Sequence, residues 1–169
     1  MVIPSRTSST STNKMDQSPP NPTAGQISNR NFDYTYGRPI TFDKAKTLLA
    51  AAETTAYARS LRMCLTVLDS AGNLVRFHPM DGALLMSISA SQEKARTAVL
   101  MNAPSKTAEE IVGSGPAGTT YLSAGVIAVR GGIPLILDRE IIGSFAASAG
   151  TLEYDEDIYW VGALALRSL

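Results

Sequence analysis

The sequence has very few of the residues on which many binding and catalytic sites depend. It contains one cysteine, Cys64, and one histidine, His78, among 169 residues. A single cysteine cannot close an internal disulfide, and without a cysteine pair or a histidine cluster a structural zinc site is excluded. We therefore expect no metal site, and we predict that Cys64 is a small buried residue in a strand.

The chain also lacks an excess of charge of either sign and any long apolar run. Its 15 basic and 15 acidic residues cancel, so the basic surplus that neutralises nucleic-acid phosphates or anionic lipids is missing. No apolar run approaches the roughly 20 residues that span a bilayer, and the N-terminus has no apolar segment of the secretory type. We therefore expect a cytoplasmic protein with neither a nucleic-acid nor a membrane partner.

Aromatic residues are scarce as well. They make up 7% of the chain, whereas hydrophobic residues together make up 44%, so Ala, Val, Ile and Leu must fill most of the core. Residues 1–38 are rich in Ser, Thr, Pro, Asn and Gln, a composition that cannot offset the entropy cost of ordering. We predict a disordered tail over 1–38 and one domain over 39–169, with Phe32, Tyr34 and Tyr36 available as an anchoring arm.

Hydrophobic spacing divides the domain into helices and short strands. The predicted helices are 42–60 (behind the N-cap Thr41), 84–101, 105–112 and 155–166, and the predicted strands are 64–69, 74–77, 125–129, 134–137 and 141–147. Tight turns join adjacent strands, and the helical crossovers that a parallel sheet requires are missing. The predicted fold class is therefore α+β, with an antiparallel sheet of about five strands and helices packed on it.

Several segments of the domain resemble, in order and spacing, the signature of a known family. They are the runs 67–75, Met80-Asp81-Gly82-Ala83, 93–98, 130–135 and 142–148, followed by Asp155 and Gly162-Ala163. Together they resemble the GlcG/HbpS-type haem-degrading-domain family over about residues 39–169. The resemblance implies a profilin-like fold, assembly into homo-oligomers and, in some members, binding of haem or a related tetrapyrrole. It predicts fold better than chemistry, because one fold hosts many different sites.

His78 is the first candidate for a catalytic residue. Any general acid or base near neutral pH, and any imidazole ligand to iron, must use it because it is the sole histidine. The alternative is a solvated residue at the end of a strand, before Pro79. Asp81 is a candidate ligand-binding residue, with capping of the second helix as its structural alternative.

The remaining candidates come from the second half of the signature. Lys94 receives a ligand-binding role from its match to the family's Lys-Ala motif; if buried, it would be a cation for a carboxylate. Arg130 stands beside Gly131 and Gly132, where the lack of a side chain lets a ligand approach the backbone closely. Relative to the family, a basic residue is lost at position 79 and gained at position 130.

Two functions remain open from the sequence. The first is an oligomeric protein that binds haem, another tetrapyrrole or a small anionic metabolite in a pocket bounded by His78, Asp81, Lys94, Tyr121 and Arg130. The second is a cofactor-independent isomerase, cyclase or lyase in which His78 exchanges protons with Asp81 or Lys94. The second helix, rich in Ser and Ala, is suited to close contact with another helix or a second subunit, which also favours a homo-oligomer.

Overall fold

The structure, a computed structural model, describes residues 34–149 and 151–167. The helices are α1 (Phe42–Ala58), α2 (Met86–Met101), α3 (Lys106–Gly113) and α4 (Leu152–Arg167), with a 3-10 helix over Pro116–Ala124; the strands are β1 (Thr35–Tyr36), β2 (Cys64–Asp69), β3 (Leu74–Pro79), β4 (Gly132–Leu137) and β5 (Glu140–Ser148). Among the described residues, none of the helices combines the length and apolar character needed to cross a membrane.

The five strands form one sheet around β5. This strand pairs antiparallel with β2 on one side and with β4 on the other, and its first two residues pair parallel with β1. β2 also pairs antiparallel with β3. The Asp69 carboxylate closes the β2–β3 turn by accepting hydrogen bonds from the backbone N–H groups of Ala71 and Asn73. The predicted α+β class with a mainly antiparallel sheet is confirmed.

Helices cover both faces of the sheet. α1 and α4 pack on one face, where the main core contains Leu48, Leu65, Phe145 and Ile158. α2 packs on the other face, over β2, β4 and β5. This second interface is more polar, since the hydroxyls of Thr66 and Ser91 hydrogen-bond there at 2.8 Å.

The small residues of α2 bring this helix unusually close to the sheet. Its buried serines and alanines are Ser87, Ser91, Ala95 and Ala98, so the surface on which a subunit contact was expected faces the chain's own strands. At Gly132 an added Cβ would lie 2.3 Å from the carbonyl oxygen of Lys94. The small side chains are therefore explained by packing within one chain.

The structure differs from the sequence prediction at several places. Residues 125–129 do not form a strand: the N–H of Ile127 donates to the Thr97 hydroxyl of α2 at 2.9 Å instead of to a neighbouring strand. The predicted loop 113–120 contains the start of the 3-10 helix. Asp81 does not cap α2, because Gly82 turns the chain with φ +79 and the helix begins only at Met86.

The segment before α1 lies against the domain. The Tyr36 hydroxyl donates to the carbonyl oxygen of Val99 at 2.7 Å, and the Asn102 side-chain amide donates to the carbonyl oxygen of Tyr34 at 3.1 Å. Together with the pairing of β1 and β5, these bonds anchor residues 34–36, within the range predicted as a tail. Phe32, the third member of the predicted arm, and residues 1–33 as a whole lie outside the described residues.

Candidate functional site

His78 lies on β3, directly opposite Leu65 of β2, and faces α1. Its Nε2 is 2.9 Å from Oε1 of Glu53, and the two side chains are 34% and 32% exposed. An ionised carboxylate can only accept a hydrogen bond, so this contact requires the imidazole to donate from Nε2. His78 is therefore half-buried and oriented by a carboxylate. Glu53 was not among the residues predicted from the sequence, although it stands four residues after the core residue Leu49, at the edge of the apolar stripe of α1.

Two cation–aromatic pairs lie on the same side of the molecule as His78. The guanidinium carbon of Arg76 is 5.0 Å from the ring centroid of Phe42, and that of Arg62 is 5.9 Å from the ring centroid of Tyr57. Arg76 precedes His78 by two residues, so both side chains emerge on the same face of β3. We call the surface formed by Phe42, Glu53, Tyr57, Arg62, Arg76 and His78 the α1–β3 surface.

Lys94 is buried and paired within its own chain. Its side chain is 2% exposed, and its Nζ lies 2.5 Å from Oδ2 of Asp155, whose side chain is 1% exposed. The Ser148 hydroxyl is 3.4 Å from the same nitrogen, and the N–H of Ala149 donates to Oδ1 of Asp155 at 2.7 Å. The buried lysine thus serves as a cation for a carboxylate, but that carboxylate is Asp155 of α4.

Arg130 also has a carboxylate partner in its own chain. Its Nε and Nη2 donate to the two oxygens of Glu109 at 2.9 and 2.6 Å, and its backbone N–H adds a third bond at 3.2 Å. The Arg130 guanidinium lowers the pKa of the Glu109 carboxyl below its ordinary value, because its hydrogen bond and its charge outweigh desolvation. This ion pair ties the segment before β4 to α3.

The space next to the two glycines after Arg130 is occupied by other parts of the protein. Gly131 adopts φ +119, and a Cβ there would lie 2.9 Å from the carbonyl oxygen of Ala147 and 3.1 Å from Cδ of Lys94. Gly132 is in contact with the α2 backbone and donates its N–H to the Ser105 hydroxyl at 3.0 Å. α2 and β5 therefore approach the backbone of these glycines, where a ligand was predicted to do so.

The predicted pocket residues do not form one cluster. His78 is opposite Leu65, Leu65 is opposite Ala147, and the N–H of Ala147 donates to the carbonyl oxygen of Gly131. Three strand spacings of about 4.8 Å thus place the backbones of His78 and Gly131 roughly 14 Å apart, at opposite edges of the sheet.

Asp81 and Tyr121 are both exposed. Asp81 lies in the turn after β3, where its carbonyl oxygen accepts a hydrogen bond from Arg62 at 3.2 Å. Tyr121 lies in the 3-10 helix. Through Arg62, Asp81 adjoins the α1–β3 surface, to which the candidate His78 belongs.

Apolar side chains are exposed where the chain enters α2. They are Leu84, Leu85, Met86 and Ile88, of which Leu85 is 84% exposed; we call this group the entry patch.

Within the part of the chain that the structure describes, no group of three His, Cys, Asp or Glu side chains is arranged to hold a metal ion. Cys64 is buried, and burial raises the pKa of its thiol.

Comparisons with known proteins agree with this architecture. Residues 40–163 match the family model described as "Haem degrading protein HbpS-like". Protein GlcG of Escherichia coli K12 is 32% identical over 105 residues, which cover 62% of this chain and 77% of GlcG.

Two solved structures share the fold. The Klebsiella pneumoniae protein ORFY has a TM-score of 0.74 and 25% identity, covering 80% of this chain and 95% of its own. A PduOC:haem complex has a TM-score of 0.70 and 28% identity, covering 75% of this chain and 94% of its own. With a family model that matches most of its length, this chain belongs to the HbpS-like family of haem-degrading proteins.

Proposed function

We propose that this protein binds a small ligand of the tetrapyrrole class, with haem as the first candidate. The observation that carries the proposal is an exposed apolar patch on a fold shared with a haem complex that is 28% identical to this chain. Tetrapyrrole sites are mostly apolar, with a few polar groups that fix orientation. The entry patch supplies such apolar surface.

The candidate cations Lys94 and Arg130 contribute less to this binding than their positions in the sequence suggested. Lys94 and Arg130 are each held by a carboxylate of their own chain, so neither is available to an anion without breaking that pair. His78 is the only imidazole that can ligate iron, and ligation through Nε2 would have to replace its hydrogen bond to Glu53. We therefore assign the apolar ring of the ligand to the entry patch at the start of α2. His78 faces α1, across the sheet from α2, so it would hold iron only at a position separate from that patch.

A haemin titration followed at the Soret band tests this assignment. We expect a saturable Soret shift for the wild-type protein and at least tenfold weaker binding for Leu85→Ser, because a polar group then faces the ring. Leu74→Ser is the matched control, since Leu74 is also an exposed leucine but lies at the start of β3. Equal loss in both leucine variants, or no shift at all, would contradict the proposal. His78→Ala reports whether the imidazole is a ligand, by a change in the Soret position.

A second candidate function is a cofactor-independent isomerase, cyclase or lyase. The observation in its favour is the His78–Glu53 pair, in which a carboxylate oxygen lies 2.9 Å from Nε2 of the sole imidazole. Such a pair suits proton transfer, because Nδ1 can accept a proton and the carboxylate stabilises the resulting imidazolium. Lys94 cannot be its exchange partner here, since its ammonium is buried against Asp155. Asp81 is exposed and stays a candidate.

The tautomer of His78 tests the geometry on which this second function depends. Because the chain has one histidine, ¹⁵N NMR shows a single pair of imidazole nitrogens. We expect the proton on Nε2 in the wild-type protein at high pH and a mixture of tautomers in Glu53→Ala. A proton on Nδ1 in the wild type, or an unchanged spectrum in Glu53→Ala, would contradict the proposed pair.

A further inference from the structure

We infer that the α1–β3 surface binds a small organic anion, a carboxylate or phosphate attached to a flat apolar group, and that Arg76 is its anchor. The inference rests on the second candidate function, since it names the substrate class for the His78–Glu53 pair. It does not depend on the entry patch or on haem.

Arg76 and His78 occupy successive positions on one face of the edge strand β3. Arg76 is opposite Val67 and His78 is opposite Leu65, and both partners belong to the main core. Core-facing positions of a strand ordinarily carry apolar side chains. Two ionisable residues at successive core-facing positions therefore place polar groups at the rim between β3 and α1, where both are half-buried.

Arg76 differs from Lys94 and Arg130 in the partner of its charged group. Lys94 and Arg130 are neutralised by buried or half-buried carboxylates of their own chain. Arg76, in contrast, forms no ion pair within the described residues, and its guanidinium carbon lies over the Phe42 ring, 5.0 Å from the centroid. A cation–π contact uses no N–H donor, so the guanidinium keeps its donors for two oxygens of one anionic group.

The surface around Arg76 and His78 is partly apolar. Phe42 is 57% exposed and provides an apolar wall beside the guanidinium. Arg76 and His78 are two residues apart, so their Cα atoms are separated by about 6.6 Å. An anionic group held by Arg76 therefore lies on the same face of β3 as the imidazole, whose ring protons report its binding, and a flat apolar group packs against the Phe42 ring.

The single imidazole signal of His78 provides the test. Phenyl phosphate, benzoate and inorganic phosphate are titrated separately into the protein at constant pH and ionic strength, and the His78 ring protons are followed by NMR. We expect a saturable shift with phenyl phosphate or benzoate, and weaker binding of inorganic phosphate, which lacks the ring. The stronger of the two ring compounds shows whether the anionic group is a phosphate or a carboxylate.

Two Arg76 variants and one control give the assay its specificity. Arg76→Gln removes the charge, and Arg76→Lys keeps it without the bidentate edge; we expect at least tenfold weaker binding in the first and a smaller loss in the second. Arg96→Gln is the matched control, because Arg96 is an exposed arginine of α2 on the opposite face of the sheet, and its affinity should equal that of the wild type. An unchanged affinity in Arg76→Gln, an equal loss in Arg96→Gln, or no saturable shift with any probe would overturn the inference. The tautomer measurement is independent of this titration, so failure of the site and failure of the second candidate function are distinguishable.

Discussion

The buried ion pair of Lys94 and Asp155 makes a quantitative prediction about stability. Lys94→Met keeps most of the apolar stem but removes the ammonium that lies against the buried Asp155 carboxylate. Removing one partner of a buried ion pair costs about 3–5 kcal/mol, because the remaining charge stays buried and loses its countercharge. With a urea m-value of about 1.5 kcal/mol per molar, the unfolding midpoint should fall by roughly 2–3 M.

The chain contains a matched control for this measurement. Arg59 and Asp157 also join a second element to α4 with an N–O distance of 2.5 Å, but their side chains are 44% and 57% exposed. Arg59→Met should cost about 0.5 kcal/mol, since exposed pairs gain little. Burial, and not bond length, is then the cause of any difference between the two variants.

A double variant separates charge from packing. Lys94→Met with Asp155→Leu removes both charges, and replacing a buried pair by apolar residues of similar size is often neutral or stabilising. We therefore expect the double variant to unfold at a higher urea concentration than Lys94→Met alone. The reasoning is refuted if Lys94→Met behaves like Arg59→Met, or if the second substitution makes the protein less stable still.

Three further predictions follow from the structure. Because Arg130 lowers the pKa of Glu109, the pair stabilises the fold above the ordinary carboxyl value of 4.5 and loses this effect as the pH falls through the lowered pKa. Arg130→Gln should therefore cost about 1 kcal/mol at pH 7, measured by urea unfolding, and progressively less as the pH falls below 4.5; a cost that does not change with pH would contradict this reasoning. The buried thiol of Cys64, with its raised pKa, should be inert to a thiol reagent at pH 7.5 and should react once per chain in guanidinium; rapid reaction of the native protein would contradict its burial. Removal of residues 1–33 should leave the thermal unfolding midpoint nearly unchanged. Removal of residues 1–38 should lower that midpoint, because β1 and its bonds to the domain are lost. Equal midpoints for the two truncated proteins would show that β1 contributes nothing to stability.

Local patterns allowed much of the fold to be predicted. The N-cap Thr41 accepts a hydrogen bond from the N–H of Lys44, as its position predicted, and strand β2 has the predicted ends. Both depend on residues that are close in sequence. The strand predicted at 125–129 failed because an apolar run also suits a segment buried against a helix, and the chain places Val126 there.

The candidate site could be predicted only in part, because each candidate is completed by a residue distant in sequence. Glu53 is 25 positions from His78, Asp155 is 61 from Lys94, and Glu109 is 21 from Arg130. Periodicity and motif spacing do not reveal such pairs. Gly132 shows the same limit of sequence patterns, since a glycine that lets a ligand approach and one that lets a helix approach look the same in sequence, and in the structure the α2 backbone approaches it.

Native mass spectrometry tests the central claim most directly. The wild-type protein is mixed with a small excess of haemin, passed through a desalting column and sprayed from ammonium acetate. We predict a mass increase of one haem per chain, and the same spectrum gives the number of chains in the assembly, which we expect to exceed one. A spectrum that contains only the unliganded mass, or a Leu85→Ser variant that retains haem as fully as the wild type and the Leu74→Ser control, would contradict the proposal that this protein binds a tetrapyrrole.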